Sequence, residues 1–263
     1  MTNILAIDTA TPACSVALTN GEEILARHKI ASREHTQLLL PMVDDVLAEG
    51  GMALSQIDVI AFTAGPGSFT GIRIGFGVVQ GLAFGAEIPV LPISSLETLA
   101  HTAIRKLGIQ QEVQIEEAGL ELQKQNRETE CFDLAKKELT IVPMLDARMD
   151  EIYWAQFQLP MESKAPNDLQ RRCVDSLSPP EETCTEVNKS SAVIVVGDGW
   201  NYSDRIGLEP TMVDAALLPE AQDILTIAKP MIRAGQAIPI EQASPIYLRD
   251  KITWKKRQRL RTA

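Results

Sequence analysis

The sequence is poor in the residues that metal centres and disulfide frameworks use. Its three histidines lie at no spacing that would pair them as metal ligands. The four cysteines, Cys14, Cys131, Cys173 and Cys184, include no Cys-x-x-Cys pair, which predicts reduced thiols in a cytosolic protein. No basic segment precedes the first apolar run, so we expect no signal peptide and a cytoplasmic location.

The chain also lacks an excess of positive charge and a long uninterrupted apolar run. With 25 Lys and Arg against 35 Asp and Glu, its net charge of −10 argues against nucleic-acid binding over the whole surface. Residues 72–93 are apolar but include Arg73, Gln80 and Glu87, which predicts a buried helix plus a strand and no membrane span. A basic tail at 249–263 either contacts a nucleic acid or an acidic partner, or is simply solvated.

Apolar periodicity predicts an α/β fold that opens with three strands. Asn20-Gly21 is typical of a hairpin turn between two of them, and Ser32 is a candidate cap for the first helix. The predicted elements of the first half are strands at 4–7, 15–18, 24–26, 57–62 and 90–93 and helices at 34–49, 71–85 and 96–107.

The second half of the sequence repeats this plan. In both halves a strand ends at an aspartate, Asp8 or Asp146, and a later strand leads into a Gly-x-Gly segment at Gly65 or Gly197. Such a repeat predicts a duplicated two-domain fold with a cleft between the halves. The predicted parts are a first domain at 1–108, a smaller second domain at 109–215 with an insertion at 110–138, and a late helix near 219–234 that packs back on the first domain.

The two aspartates stand where an actin-like ATPase would hold magnesium and phosphates between its domains. The glycine-rich segment at 65–67 indicates either a phosphate site at a helix N-terminus or a structural turn, and both interpretations stay open. The turns after Asp8 and Asp146 contain no glycine, which argues against a catalytic ATPase. The candidate nucleotide cleft consists of Asp8, Thr9, Gly65, Gly67, Asp146, Gly197 and Gly199.

The helix at 71–85 carries Gly77, Gly81 and Gly85 on one face. Each glycine costs a helix about 1 kcal/mol relative to alanine, so three on one face indicate that another backbone comes close. That backbone belongs either to the same domain or to another subunit. The candidate interface consists of Leu38, Leu39, Met42, Val46, Ile74, Gly77, Val78, Gly81 and Gly85.

Long segments of the chain resemble the TsaB (YeaZ) family. They are ILAIDTATPACSVAL at 4–18, EHTQLLLPMVDDVL at 34–47, VIAFTAGPGSFTGIRIGFGVVQGLA at 59–83, PVLPISSLETLA at 89–100, MLDARMDEIYWAQF at 144–157, VVGDGW at 195–200 and SPIYLR at 244–249. The resemblance implies a duplicated two-domain ASKHA fold, the actin-like and RNase H-like architecture. It also implies a cytoplasmic, non-catalytic scaffold that works with a TsaD-type catalytic subunit and a TsaE-type ATPase.

Further expectations follow from the resemblance. The complex would transfer threonylcarbamoyl to the adenosine 3′ of the anticodon in tRNAs that read codons starting with A, and this chain would meet tRNA only through the complex. The helices at 34–49 and 71–85 would serve homodimers and pairing with TsaD. The TsaD metal ligands would fall at Ser95 and Leu99, which cannot bind the metal in that role, so we expect no metal, no catalytic residue and no membrane contact.

Two points stay open from the sequence. The resemblance implies no intrinsic cofactor, yet leaves room for ATP or ADP at the subunit interface. The alternative function is an ATP-binding, kinase-like phosphotransferase of the actin-like fold, which would use Asp8, Asp146 and the glycines at 65–67.

Overall fold

The computed structural model describes residues 2–30, 33–108, 138–160, 168–184, 187 and 192–249, which form two five-stranded sheets. The strands of the first sheet are β1 (Ile4–Asp8), β2 (Ala13–Thr19), β3 (Ile24–Ile30), β4 (Val59–Gly65) and β5 (Val90–Ser94). Those of the second sheet are β6 (Glu138–Arg148), β7 (Glu151–Pro160), β8 (Gln170–Ser178), β9 (Ala192–Val196) and β10 (Met212–Asp214). The α-helices are α1 (His35–Glu49), α2 (Phe69–Ala86), α3 (Ser95–Lys106) and α4 (Ala221–Arg233).

The two sheets have the same topology. The first has the order β3-β2-β1-β4-β5, with β1, β2 and β3 antiparallel and β1, β4 and β5 parallel. The second has the order β8-β7-β6-β9-β10, again with an antiparallel meander on one side and parallel strands on the other. The duplicated α/β fold predicted from the repeated pattern is confirmed.

The last helix of each half packs on the sheet of the other half. Although α3 follows β5, its apolar side chains belong to the core of the second sheet, which contains Leu96, Leu99, Ala103, Ile141, Phe157 and Ile194. In return α4, at the position of the predicted late helix, covers the first sheet in a core that contains Ile4, Ala61, Leu91, Ile224, Leu225 and Ala228. A boundary at residue 108 therefore assigns α3 to the first domain by sequence, although its apolar side chains pack in the core of the second sheet.

An ionic cluster joins these two exchanged helices. The Arg105 guanidinium on α3 lies 2.7 Å from the Asp223 carboxylate and 2.6 Å from the Glu220 carboxylate at the start of α4. The Thr102 hydroxyl donates a further hydrogen bond of 2.8 Å to Asp223. The two acidic side chains are 5% and 12% exposed, so Arg105 neutralises charge that water barely reaches.

Several predicted details need correction. Helix α1 begins at His35, and its N-cap position is Glu34, which makes no side-chain capping bond; the predicted cap, Ser32, lies outside the described residues. Strand β4 begins at Val59, not at residue 57. Strands β8 and β10 were not predicted. The insertion at 110–138, up to the first residue of β6, and the tail beyond Arg249 lie outside the described residues.

Candidate functional site

A cleft of about 1190 Å³ lies between the two halves. Its walls are the turn after β1, the N-terminal part of α2, the β6–β7 turn and the segment that closes the described chain, at residues 10–12, 67–74, 145–149 and 246–249. Of the residues predicted for a nucleotide cleft, Gly67 and Asp146 line this space. Asp8, Thr9, Gly65, Gly197 and Gly199 are absent from its walls.

Asp8 is fully buried at the end of β1. Its Oδ1 accepts hydrogen bonds from the Thr63 hydroxyl (2.6 Å) and the Ala10 N–H (3.2 Å), whereas its Oδ2 has no hydrogen-bond partner. Burial raises the pKa of Asp8 to about 7, against the opposing effect of the bonds from Thr63 and Ala10. A carboxyl in this setting is not arranged as a solvent-facing magnesium ligand.

Asp146 lies on the cleft wall, but its carboxylate already has partners within the chain. It accepts hydrogen bonds from the Arg148 N–H (2.7 Å) and the Tyr202 hydroxyl (3.2 Å). The Arg148 guanidinium lies 2.8 Å from its second oxygen. Its own N–H donates to the Asp198 carboxylate. The arrangement stabilises the β6–β7 turn.

The predicted phosphate-cradling glycines contact the protein's own chain. A Cβ on Gly65 would lie 2.7 Å from the Ile246 carbonyl oxygen, and one on Gly67 would lie 2.3 Å from that of Ala10. A Cβ on Gly197 would lie 2.2 Å from the Met144 carbonyl oxygen. These glycines allow backbone segments to approach one another, which favours the structural-turn interpretation over a phosphate site.

Gly199 and Thr9 also have packing roles. A Cβ on Gly199 would lie 2.7 Å from the Met144 Cβ. The Thr9 hydroxyl donates a hydrogen bond of 2.9 Å to the Gly71 carbonyl, and a Cβ on Gly75 would lie 2.2 Å from the Thr9 Oγ1. Thr9 therefore holds α2 close to the end of β1 and does not face the cleft.

The outer face of α2 is open. Gly77, Gly81 and Gly85 are exposed, and a Cβ built on any of them would have no atom within 4 Å. Phe84, on the same helix, is 70% exposed. A shallow groove of about 440 Å³ runs along this face, lined by Gly77, Gln80, Gly81, Phe84, Ile240 and Glu241.

The other predicted interface residues divide into two groups. Four are partly buried beside the core of the first sheet: Leu38, Met42, Ile74 and Val78. Leu39 and Val46 are fully buried in that core, so their side chains face inward and not toward a partner. By length and composition alone α2 is apolar enough to cross a membrane, and 28% of it is buried.

The two positions expected to have lost metal ligands lie inside the protein. Leu99 is fully buried in the core of the second sheet. Ser95 is also fully buried, and its Oγ has no hydrogen-bond partner. Within the described ranges, no three His, Cys, Asp or Glu side chains are grouped to hold a metal ion.

A cluster of three side chains lies at the cleft mouth, and no local sequence pattern indicates it. The Arg73 guanidinium stacks 3.6 Å from the centre of the Phe69 ring, and its Nε donates a 3.0 Å hydrogen bond to the Tyr247 hydroxyl. The Phe69 and Tyr247 rings are 5.5 Å apart. Tyr247 is 174 residues from Arg73 along the chain, beyond the reach of periodicity or motif spacing.

Two copies of a mixed five-stranded sheet around an interdomain cleft define the two-domain ASKHA, or RNase H-like, class. The chain is 38% identical over 258 residues to the tRNA threonylcarbamoyladenosine biosynthesis protein TsaB of Escherichia coli, covering 96% of this chain and 97% of that protein. It is 36% identical over 260 residues to the same-named protein of Haemophilus influenzae, covering 96% of each. The chain therefore belongs to the TsaB (YeaZ) family.

Two further comparisons agree. The solved structure of YeaZ from Pseudomonas aeruginosa superposes with a TM-score of 0.77 at 38% identity, covering 94% of this chain and all of that one. The family model described as TsaD, tRNA N6-adenosine threonylcarbamoyltransferase, matches residues 22–111. The matched segment contains β3 to β5 and α1 to α3, so the likeness to TsaD includes the open face of α2.

Proposed function

We propose that this protein acts in tRNA threonylcarbamoyladenosine biosynthesis as a non-catalytic scaffold for a TsaD-type catalytic subunit. The observation that carries the proposal is the open glycine face of α2, where a Cβ on Gly77, Gly81 or Gly85 would have no atom of the described chain within 4 Å. Membership of the TsaB family supports the pathway, since the named relatives are biosynthesis proteins for this modified nucleoside.

The energetics of α2 favour a partner on this face. Three exposed glycines in a helix cost about 0.5–1 kcal/mol each relative to alanine, and no internal contact offsets that cost at these positions. A partner helix that approaches within backbone distance would offset it, and the exposed Phe84 ring would lose its contact with water there. Because TsaD shares this segment, we propose a pseudo-symmetric pairing of α1 and α2 with their TsaD counterparts, and a homodimer through the same face when the chain is alone.

The state of the cleft argues against the kinase-like alternative. Asp8 is buried with a raised pKa, Asp146 is paired with Arg148, and the cleft glycines contact backbone instead of leaving room for phosphates. The residues present therefore do not fit a nucleotide held by this chain alone. ATP or ADP at the interface with the partner remains part of the proposal, as a site completed by both subunits.

The finer assignments follow the same proposal. We propose that the protein is cytoplasmic, that a TsaE-type ATPase joins the complex, and that tRNA is met only through the complex. The modified adenosine would be the one 3′ of the anticodon in tRNAs that read codons starting with A. On this view a protein partner, and no membrane, covers the apolar helix α2.

A substitution of Gly81 by leucine tests whether the glycine face of α2 binds the TsaD-type subunit. Because the Cβ of residue 81 would point into open space, Gly81→Leu leaves the fold intact and places four carbons in the docking groove. We expect loss of co-purification with the TsaD-type subunit and loss of tRNA modification in a reconstituted reaction. Gly207→Leu is the matched control, since residue 207 is exposed with no atom near its Cβ in the second half of the chain. Normal pairing and activity of Gly81→Leu would refute the interface.

Calorimetry separates the two functions. We expect Mg-ATP to bind the isolated protein no more tightly than millimolar, whereas the kinase-like alternative requires micromolar binding that Asp8→Asn abolishes. The same titration on the complex with the TsaD-type subunit tests the nucleotide at the shared interface.

A further inference from the structure

The last described segment of the chain, residues 244–249, contacts both halves of the molecule. On the first half, the Ile246 N–H donates a hydrogen bond of 2.8 Å to the carbonyl of Ala64 in β4. The Ile246 carbonyl passes so close to Gly65, at φ +123°, that a Cβ there would lie 2.7 Å from it. The segment can therefore lie this close to β4 only because residue 65 is glycine.

Tyr247 fastens the segment to α2. Its hydroxyl accepts the hydrogen bond from Arg73, its ring packs against Phe69, and the three side chains form one stack at the cleft mouth. Stacked aromatic and guanidinium groups attract one another less strongly at partly exposed positions than at buried ones. Tyr247 and Phe69 are 44% and 51% exposed, so this attachment is moderate and reversible.

Arg249 fastens the segment to the second half. Its Nη2 donates hydrogen bonds of 3.1 Å to the carbonyl oxygens of Ala147 and Arg148, and it pairs with the Glu151 carboxylate. The Arg249 side chain is only 18% exposed, which strengthens these charge-assisted bonds.

The turn that Arg249 holds has an unfavourable backbone. Arg148, Met149 and Asp150 are three successive non-glycine residues in the left-handed region, at φ 63°, 57° and 61°. The left-handed conformation is unfavourable for residues with a Cβ, so surrounding contacts must maintain the turn. Both carbonyls that Arg249 binds are at this turn: Arg148 belongs to it and Ala147 immediately precedes it. Arg148 and Met149 also form part of the cleft wall.

We propose that residues 244–249 are an interdomain strap, attached to the first half by Ile246 and Tyr247 and to the second half by Arg249. The strap sets the opening of the cleft and maintains the left-handed β6–β7 turn. Release of either end allows the halves to move apart about the exchanged helices α3 and α4. This inference does not depend on the proposed function.

The test measures a distance across the cleft in the full-length protein. Spin labels are attached at Asp45→Cys on α1 and Val174→Cys on β8, both exposed, with Cys131 and Cys173 replaced by serine. The labelled protein is diluted into an excess of unlabelled protein, so that spins on different copies do not contribute. Hydrogen exchange of the peptide at 146–152 is recorded on the same variants.

Arg249→Met and Tyr247→Ala are expected to broaden the distance distribution and move it to longer distances. Arg249→Met should also speed exchange at 146–152 about tenfold or more, because the hydrogen bonds to the carbonyls of Ala147 and Arg148 and the pair with Glu151 are lost. The matched control is Arg205→Met. Arg205 pairs with Glu181 and also lies 3.5 Å from Asp150 of the same turn, but it does not connect the two halves.

Unchanged distributions in both strap variants, with native circular dichroism, would overturn the proposal. An equal shift in Arg205→Met would also overturn it, because the integrity of the turn and not the bridge would then set the distance. If Arg249→Met does not fold, Arg249→Lys replaces it, since a lysine keeps the charge but cannot reproduce the guanidinium fork.

Discussion

The hydroxyl of Thr63 donates a 2.6 Å hydrogen bond to the carboxyl group of Asp8, and the two residues lie 55 positions apart near the carboxyl ends of neighbouring parallel strands. In many folds a carboxylate at this edge would face a ligand. Here it faces the interior, with one oxygen unpartnered and a pKa near 7. Asp8 thus occupies the edge position but does not line the cleft.

Asp8 predicts a pH dependence of stability. Because its pKa is about 7 when folded and near 3.8 ordinarily, the folded state holds the proton more tightly. The resulting stabilisation is fully present below about pH 4 and is lost as the pH rises to about 7. We expect Asp8→Asn to remove a slope of at most about 1.4 kcal/mol per pH unit in this window, measured by urea unfolding at several pH values. The exposed Asp204→Asn should keep the parental slope, and a parental slope in Asp8→Asn would disprove the assignment.

The ion cluster between the exchanged helices should stabilise the protein strongly. Arg105→Met leaves the nearly buried Asp223 without its cation and leaves Glu220 paired with Lys106 alone. We expect a loss of about 2–3 kcal/mol in the free energy of unfolding. Arg27→Met is the control, because Arg27 and Glu49 are 38% and 46% exposed and such pairs contribute about 0–1 kcal/mol. Equal losses of unfolding free energy in Arg105→Met and Arg27→Met would show that the cluster stabilises the protein no more than an exposed ion pair does.

Two glycines of α2 should respond oppositely to the same substitution. At Gly71 a Cβ would lie 2.1 Å from the Thr9 carbonyl oxygen, so Gly71→Ala should destabilise the fold by about 1–3 kcal/mol. At Gly77 the space is open, and Gly77→Ala should stabilise the helix by up to about 1 kcal/mol. Unfolding at several protein concentrations checks both values and reveals any contribution of self-association. A loss at Gly77 that does not vary with concentration would contradict the open face.

The sequence predicted the strands and helices of the first half well because their apolar periodicity is local. The pattern that predicts each element is contained within a few residues, as at Ile4 to Ile7 and at the glycine-rich start of α2. The function of the glycines was not predictable in the same way. Whether Gly67 faces a phosphate or the Ala10 carbonyl depends on a contact with a strand end far along the chain. The exchanged positions of α3 and α4, and the attachment of Arg249, are likewise set by long-range packing.

For the interface, amphipathic spacing grouped Leu38, Leu39, Met42 and Val46 together. It could not decide which side of α1 faces the strands, and the structure places Leu39 and Val46 against the first sheet. In α2 the four-residue spacing grouped Gly77, Gly81 and Gly85 on one face, and the structure leaves that face open. The spacing could not decide whether the face contacts the same domain or another subunit. The partner of that face stays a prediction.

The exchange of α3 and α4 has a consequence for how the polypeptide acquires its structure. Neither sheet has its complete core until a helix from the other half of the chain packs on it, so a fragment cut at residue 108 would be unable to complete a native interior. The molecule should therefore lose its structure in one cooperative transition, and its folding should be slow because the decisive contacts connect distant parts of the chain.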